Sequence, residues 1–318
     1  MSEFARPMIR ESTTVKESVH SVLKAHKAWL ENPATGHRAD MTGHTLNEAN
    51  LSTADLRKAI LSRATFLDAN LAQADLTGAT LDGADLQRAN LAGAFLSGTS
   101  LSEANFGGAF LQGANLSEAS GNRVSFRRAK LEKASVMDVS MQNASFQEVK
   151  GAAISFHQAR LYEADFRDAY LVAAQFYHAR LQHVRFTGVQ ATTANFSGSK
   201  LDHCDFTRAD VSGSKFGRVE VIQCIFRHTR LINCDFRDAR FRGGDFSGAV
   251  LEGSRFAGAQ LLTVDLRGAD LRGARDLTQD QLMQAVTDSG TILPNGTQGP
   301  YLRFSGAERP RPDLAKRY

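Results

Sequence analysis

The chain has 318 residues, of which 42% are hydrophobic and 23% charged, with a formal net charge of +4. No stretch approaches the apolar length of a membrane-spanning helix, and Met1 to Ser12 mix Arg6 and Arg10 with Glu3 and Glu11 where a secretory signal needs an apolar core. The expected compartment is the cytoplasm, with export by a route that reads an unstructured N-terminus left open.

In chain order, residues 1–13 carry no periodicity and are expected to be disordered. Residues 14–32 predict a helix within a capping segment, 14–40. Thr14 and Glu17 have capping-box spacing, and Val15, Val19, Val22, Leu23, Trp29 and Leu30 follow helical spacing until Pro33 and Gly36 stop it.

From about residue 41 to 275 a different period takes over. Every fifth residue from Leu46 to Leu271 is bulky and apolar, 46 positions in one register, except Gly121, Gly151 and Ala191. Two residues before each sits a small side chain, often alanine, as at Ala49, Ala54, Ala59 and Ala64. Five residues fit neither common element. On an α-helix five steps turn a side chain by roughly 140°, and on a strand an odd step flips it to the other face. The chain must bend once per five residues and stack on itself, which makes a solenoid.

The end of the array needs a cover, because a last coil exposes apolar side chains and unpaired backbone. Thr278 and Gln281 have capping-box spacing, and Leu282, Met283 and Val286 follow, so a C-terminal capping helix over 278–288 is expected within residues 276–294. Residues 295–318, rich in Gly, Pro and Arg, are expected to form a flexible tail.

Ala74-Asp75-Leu76-Thr77-Gly78, Ala84-Asp85-Leu86 and Ala114-Asn115-Leu116 resemble the unit of the pentapeptide-repeat proteins, commonly written A-(D/N)-L-x-x. The resemblance implies an all-β solenoid: a right-handed quadrilateral parallel β-helix with four pentapeptides per 20-residue coil. The bulky residue and the small residue two before it would point inward, with coils stacked about 4.8 Å apart.

The residues suit that picture independently. From Phe146 to Phe256 every tenth residue is phenylalanine, which puts Phe on two opposite sides of a four-sided coil. Where the central residue shrinks, a neighbour grows: Gly151 lies between Val149 and Ile154, Ala191 follows Val189, and Val124 follows Gly121. The Asp or Asn before the central residue (Asp75, Asp85, Asn105, Asn115, Asp165, Asp205, Asp235, Asp265) is expected to bond turn backbone at the corners.

The sequence offers no chemistry. It has no phosphate loop, no HExxH and no nucleophile elbow. Cys204, Cys224 and Cys234 fall on the small inward position and lack CxxC spacing, so buried thiols are expected and zinc is not supported. His183 and His203 stack at an outward position without a third ligand, so no metal and no cofactor is expected.

The outer columns carry more. Read every 20 residues, Arg160, Arg180, Lys200 and Arg240 share one column broken by Glu220, and Tyr162 and Tyr177 point outward nearby. This side is the candidate partner surface, against the plainer reading of a solvated wall laced with ion pairs between coils. Residues 41–120 carry 8 acidic and 4 basic side chains, and residues 121–275 carry 16 and 23.

The expected function is a non-enzymatic, rod-shaped scaffold that binds a protein through an outer wall. One alternative, implied by the resemblance, is a DNA mimic acting on DNA gyrase, of the quinolone-protection type. That role needs an acidic rod, and only residues 41–120 are net negative. A further alternative is an exported effector or secretion-apparatus accessory. A nucleic-acid partner is expected less than a protein, and a homodimer is left open.

Overall fold

The computed structural model describes residues 12–311. The expected N-terminal stretch lies almost wholly outside the described residues, as does the end of the C-terminal segment. Between them the chain coils into a four-sided parallel solenoid. Residue n pairs with residue n + 20 on all four sides, as in Asp40 with Ile60, Thr45 with Thr65, Asn50 with Asn70 and Asp55 with Asp75, and this register holds as far as Arg255 with Arg275.

The five-residue unit accounts for its own backbone. Leu71 N–H donates to Asn90 O, Gln73 N–H to Ala92 O and Asp75 N–H to Ala54 O, which tie adjacent coils together. Ala74 N–H closes the corner onto Leu71 O, and Ala72 N–H donates to Asn70 Oδ1 at 3.2 Å. Every amide of the unit is used. The carboxamide or carboxylate before the central residue plays the expected part throughout, accepting from Thr77 N–H at Asp75, Gly107 N–H at Asn105 and Arg167 N–H at Asp165.

The corner has one property that the unit formula hides. The second residue after the central one sits in the left-handed region: Glu48 at φ 57°, Gln73 at 57°, His178 at 56° and Arg208 at 58°. Glycine relieves the cost at some corners, but most carry a side chain there. The bonds between coils hold them, since Glu48 and Gln73 donate from that conformation.

Inside, Phe106, Phe126, Phe146, Phe166, Phe186, Phe206, Phe226 and Phe246 form one stacked ladder, with successive rings 4.5–5.0 Å apart. Phe156 to Phe256 form a second on the opposite side. The two meet edge to face, as Phe176 meets Phe186 at 89°. The small central residues are filled in as expected. A Cβ on Gly121 would come within 2.7 Å of Val124, and one on Gly151 within 3.3 Å of Ile154 and 3.4 Å of Val149.

One wall differs from the other three. It forms an eight-stranded parallel sheet: β1 (Ser120–Asn122), β2 (Ser140–Gln142), β3 (Arg160–Tyr162), β4 (Arg180–Gln182), β5 (Lys200–Asp202), β6 (Glu220–Ile222), β7 (Arg240–Arg242) and β8 (Gln260–Leu262), paired in sequence order. The other walls pair through single residues.

Both ends are covered. Helix α1 runs from Ser12 to Glu31, so Thr14 lies within it and is not its cap. Val19, Val22 and Leu23 pack against the core. His26 is fully buried: Ala39 N–H donates to Nδ1 at 3.0 Å, and Nε2 lies 3.0 Å from Arg57 O. An amide only donates and a carbonyl only accepts, so this ring is neutral with its hydrogen on Nε2. Gly36 lets the chain close against the helix, since a Cβ there would sit 2.3 Å from Ala25 O.

At the far end, helix α2 (Gln279–Gln284) begins at Thr278 with both halves of the capping box made. It is shorter than the 278–288 expected, because Ala285 turns extended and Val286 N–H rejoins the ladder at Val264 O. Residues 295–311 also depart from the free tail expected. Asn295 N–H donates to Ala307 O, and Tyr301 is buried with its hydroxyl 3.0 Å from the buried Glu308. Burial, then that carboxylate, pushes Tyr301 up to about 12. Composition rich in Gly and Pro marked turns here, and the apolar anchors Leu293, Tyr301 and Ala307 are too few to show a period.

Candidate functional site

The wall of β1–β8 gathers most of the residues singled out from the sequence. Arg160, Arg180, Lys200 and Arg240 open strands β3, β4, β5 and β7, stacked in register with Glu220 between the last two. All four are exposed, because the alternation of a strand turns the flanking residues out while Leu161, Leu181, Leu201 and Phe241 are buried. Tyr162 occupies the next outward column of the same sheet. The neighbouring Glu163 carboxylate pushes Tyr162 up.

Tyr177 is not on this wall. It stands on the adjoining corner, its ring 5.3 Å from His157 and 4.0 Å from His178. Between that corner and the sheet runs a shallow channel. Asp138, Gln158, His178 and Gly198 line one bank, with Arg160, Arg180 and Lys200 opposite. It continues past Gly198 and Arg218 to Asp238 on one side and Arg240 and Arg242 on the other.

The electrostatics separate the residues of this channel. Lys200 lies 3.5 Å from Glu220, an ion pair between coils of the kind expected of a plain wall, and Arg218 lies 3.9 Å from Asp238. Arg160, Arg180, Arg240 and Arg242 make no ion pair among the described residues. Elsewhere many arginines are held, although Arg63, Arg208 and Arg255 also make no ion pair among the described residues. Arg167 grips Asp165, Arg237 grips Asp235 and Arg267 grips Asp265, each carboxylate two residues before its arginine. Arg242 was one of many scattered arginines in the sequence; its place in β7 with Arg240 is what brings it to the site.

The cysteines and stacked histidines weighed from the sequence lie outside this channel. Cys204, Cys224 and Cys234 are buried free thiols, and burial pushes Cys234 up to about 12. His183 and His203 stack 5.1 Å apart, with Tyr162 edge-on to His183. Among the described residues no group of three or more His, Cys, Asp or Glu could hold a metal ion. No helix there is long and apolar enough to cross a membrane.

A comparison with curated proteins gives no match. Among solved structures, the chain is similar to HetL, a pentapeptide repeat protein involved in heterocyst differentiation regulation in the cyanobacterium Nostoc sp. strain PCC 7120. The identity is 25%, over 85% of this chain and 97% of that one, with a TM-score of 0.28. It is also similar to full-length QnrB1, a plasmid-mediated fluoroquinolone resistance protein, at 17% identity over 59% of this chain and 91% of that one, TM-score 0.29. At such TM-scores neither bears on function. Sequence profiles of the pentapeptide repeat match residues 37–136 and 204–243 (Pentapeptide repeats, 8 copies), 119–216 (Pentapeptide repeat region) and 226–270 (Pentapeptide repeats, 9 copies). These matches tile the coils from one cap to the other, and the chain belongs to the pentapeptide-repeat family.

Proposed function

We propose that this protein is a non-enzymatic scaffold that binds another protein through the wall of β1–β8. The observation that carries the reading is the set of four arginines, Arg160, Arg180, Arg240 and Arg242, exposed on one sheet with no ion pair among the described residues. Arginine is enriched at interfaces because its planar fork recognises carboxylates with defined geometry. A rigid rod presents it at fixed spacing, so little ordering is needed on binding.

The test is affinity capture from the native host with chemical cross-linking. Wild type is compared with Arg160→Glu/Arg180→Glu/Arg240→Glu. The proposal expects a protein cross-linked to β3–β7 in wild type and lost in the variant. Capture that survives the triple reversal unchanged overturns it.

The duplex-mimic reading has less to stand on. In the acidic coils Asp55 and Asp75 lie by Arg57, Asp68 by Arg88 and Glu103 by Arg123, and the carboxylates without an ion pair among the described residues, Glu48, Asp82, Asp85 and Glu118, fall on different columns of the coil. Purified protein is expected to leave DNA gyrase supercoiling, and its inhibition by a quinolone, unchanged.

A further inference from the structure

We propose that the partner places an acidic α-helix lengthwise in the channel beside Arg160, Arg180, Arg240 and Arg242. This rests on the wall reading above and specifies what the wall recognises.

The first argument is the backbone of the wall. Strands β1–β8 run across the rod and are paired on both sides, except at the two ends of the sheet. A segment laid along the rod meets no free backbone donors or acceptors there. An extended peptide would leave its own amides and carbonyls unpaired against the wall, and strand addition is ruled out by geometry. A helix arrives with its backbone already satisfied.

The second is spacing. Coils stack about 4.8 Å apart, so Arg160 and Arg180 match carboxylates three or four residues apart on one helix face, where the rise is about 4.5–6 Å. Arg180 and Arg240 are three coils apart, about 14 Å, which is close to three helical turns at about 5.4 Å each. From Asp138 to Asp238 the channel bank spans five coils, about 24 Å, the length of a helix of roughly 16 residues.

The third is sign. Asp138, Asp202, Glu220 and Asp238 interrupt the cationic line. A uniformly charged polyanion, such as a nucleic acid backbone, would meet three of these carboxylates, Asp202, Glu220 and Asp238, within about two coils. A helix with discrete acidic positions fits two carboxylates at Arg160 and Arg180 and one at Arg240 and Arg242, and leaves the stretch facing Glu220 neutral.

The probe is a fluorescein-labelled, alanine-rich helical peptide of about 20 residues, with glutamates at its third, seventh and eighteenth positions. An isomer with the three glutamates on different faces and an oligothymidylate of similar length serve as competitors. Fluorescence anisotropy is read at roughly 50 mM salt, where surface charges are weakly screened. The striped peptide is expected to bind at least about fivefold more tightly than its isomer and than the oligothymidylate. The triple variant Arg160→Glu/Arg180→Glu/Arg240→Glu should weaken it at least about tenfold, while Lys133→Glu/Lys150→Glu/Lys215→Glu, the same charge change on other walls, should not. Unchanged circular dichroism melts confirm that both variants fold.

Equal binding of the two peptides, tighter binding of the oligothymidylate, no binding, or equal loss in both variants overturns the helix. If captured protein depends on the arginines but is not displaced by the striped peptide, the helix falls and the wall reading stands. If capture does not depend on them, both fall.

Discussion

Two adjacent walls share a corner and the same five-residue unit, yet dispose of arginine differently. On the wall of Asp165, Asp245 and Asp265, the carboxylate before the buried residue (Phe166, Phe246 and Leu266) bonds the turn amide and also holds a guanidinium. Arg167 reaches Asp165 at 2.7 Å, Arg227 reaches Asp245, and Arg267 reaches Asp265 at 2.6 Å. On the wall of β1–β8 the position before the buried residue is itself Arg or Lys in β3, β4, β5 and β7. Two residues before Arg160, Arg180 and Lys200 stand Gln158, His178 and Gly198, and the Asp238 before Arg240 lies 3.9 Å from Arg218 instead. One substitution in the unit therefore converts a self-neutralised wall into one with charge to spare. Exposed ion pairs add little stability, so the difference concerns what each wall offers to a partner more than how firmly it folds.

The interior is common to both walls, and disturbing it should have the largest effect. Phe196 is buried, with Phe176 and Phe216 stacked on it 4.8 and 4.9 Å away. Phe196→Ala is expected to cost about 3–5 kcal/mol as a cavity; a loss under about 1 kcal/mol in a reversible urea titration would show that the ladder does not depend on that ring.

The walls themselves should separate next. Asp165 is 8% exposed, and its loss would leave the Arg167 amide, the Arg167 guanidinium and the Gln147 carboxamide without their acceptor, so Asp165→Ala is expected to cost about 1–3 kcal/mol. Arg160→Gln should leave the unfolding midpoint where it is. Equal midpoint shifts in the two variants would erase the distinction.

A smaller effect comes from acid. At Asp165 burial works against the charged form, but Arg167 and Gln147 outweigh it and hold the carboxyl below its ordinary value of 3.8. Arg167 has its match in Arg237 at Asp235 and Arg267 at Asp265, which are lowered too. A lowered carboxyl contributes stability that is full above about pH 4 and lost as pH falls through the folded value. Melting should decline below about pH 4, and Asp165→Asn should flatten part of that decline.

The smallest effect is local to the N-terminal cover. Burial lowers His26 from its ordinary value of 6.5, against the bond to Arg57 O and the charge of Asp55, with Arg38 and Arg57 adding to the lowering. Its contribution is present above about pH 6.5 and lost as pH falls through the folded value, because the protonated ring cannot accept from Ala39 N–H. Trp29, stacked on His26 at 5.6 Å, reports this directly. Its fluorescence should change reversibly between about pH 7 and 5 in wild type and stay flat in His26→Gln, with the solenoid intact.

The candidate wall was half legible in the sequence. Counting by 20 placed Arg160, Arg180, Lys200 and Arg240 in one column, because a strict register makes sequence distance a spatial coordinate. It grouped Tyr177 with Tyr162, but Tyr177 lies in the turn after Phe176 whereas Tyr162, at the same place in its unit, lies in strand β3. It could not separate Arg160 from Arg167, because whether a guanidinium is free depends on which carboxylates the coiling brings beside it. The recurrent glycine two residues after the buried one, as at Gly78, Gly83 and Gly93, was the signal for left-handed corners.

The sequence by itself determined the coil. A bulky residue every fifth position can be hidden along a common axis only if the backbone bends once per unit; that four bends close one coil was what the resemblance to the pentapeptide repeat implied, and within that coil the aromatic at every tenth position fixes which sides carry the ladders. Only the tertiary structure decided that one wall forms a sheet, that residues 295–311 fold back on the last coil, and that Arg160, Arg180, Arg240 and Arg242 make no ion pair among the described residues. Those outcomes depend on contacts between coils and at the ends of the rod, where no period repeats and each neighbour must be known in space.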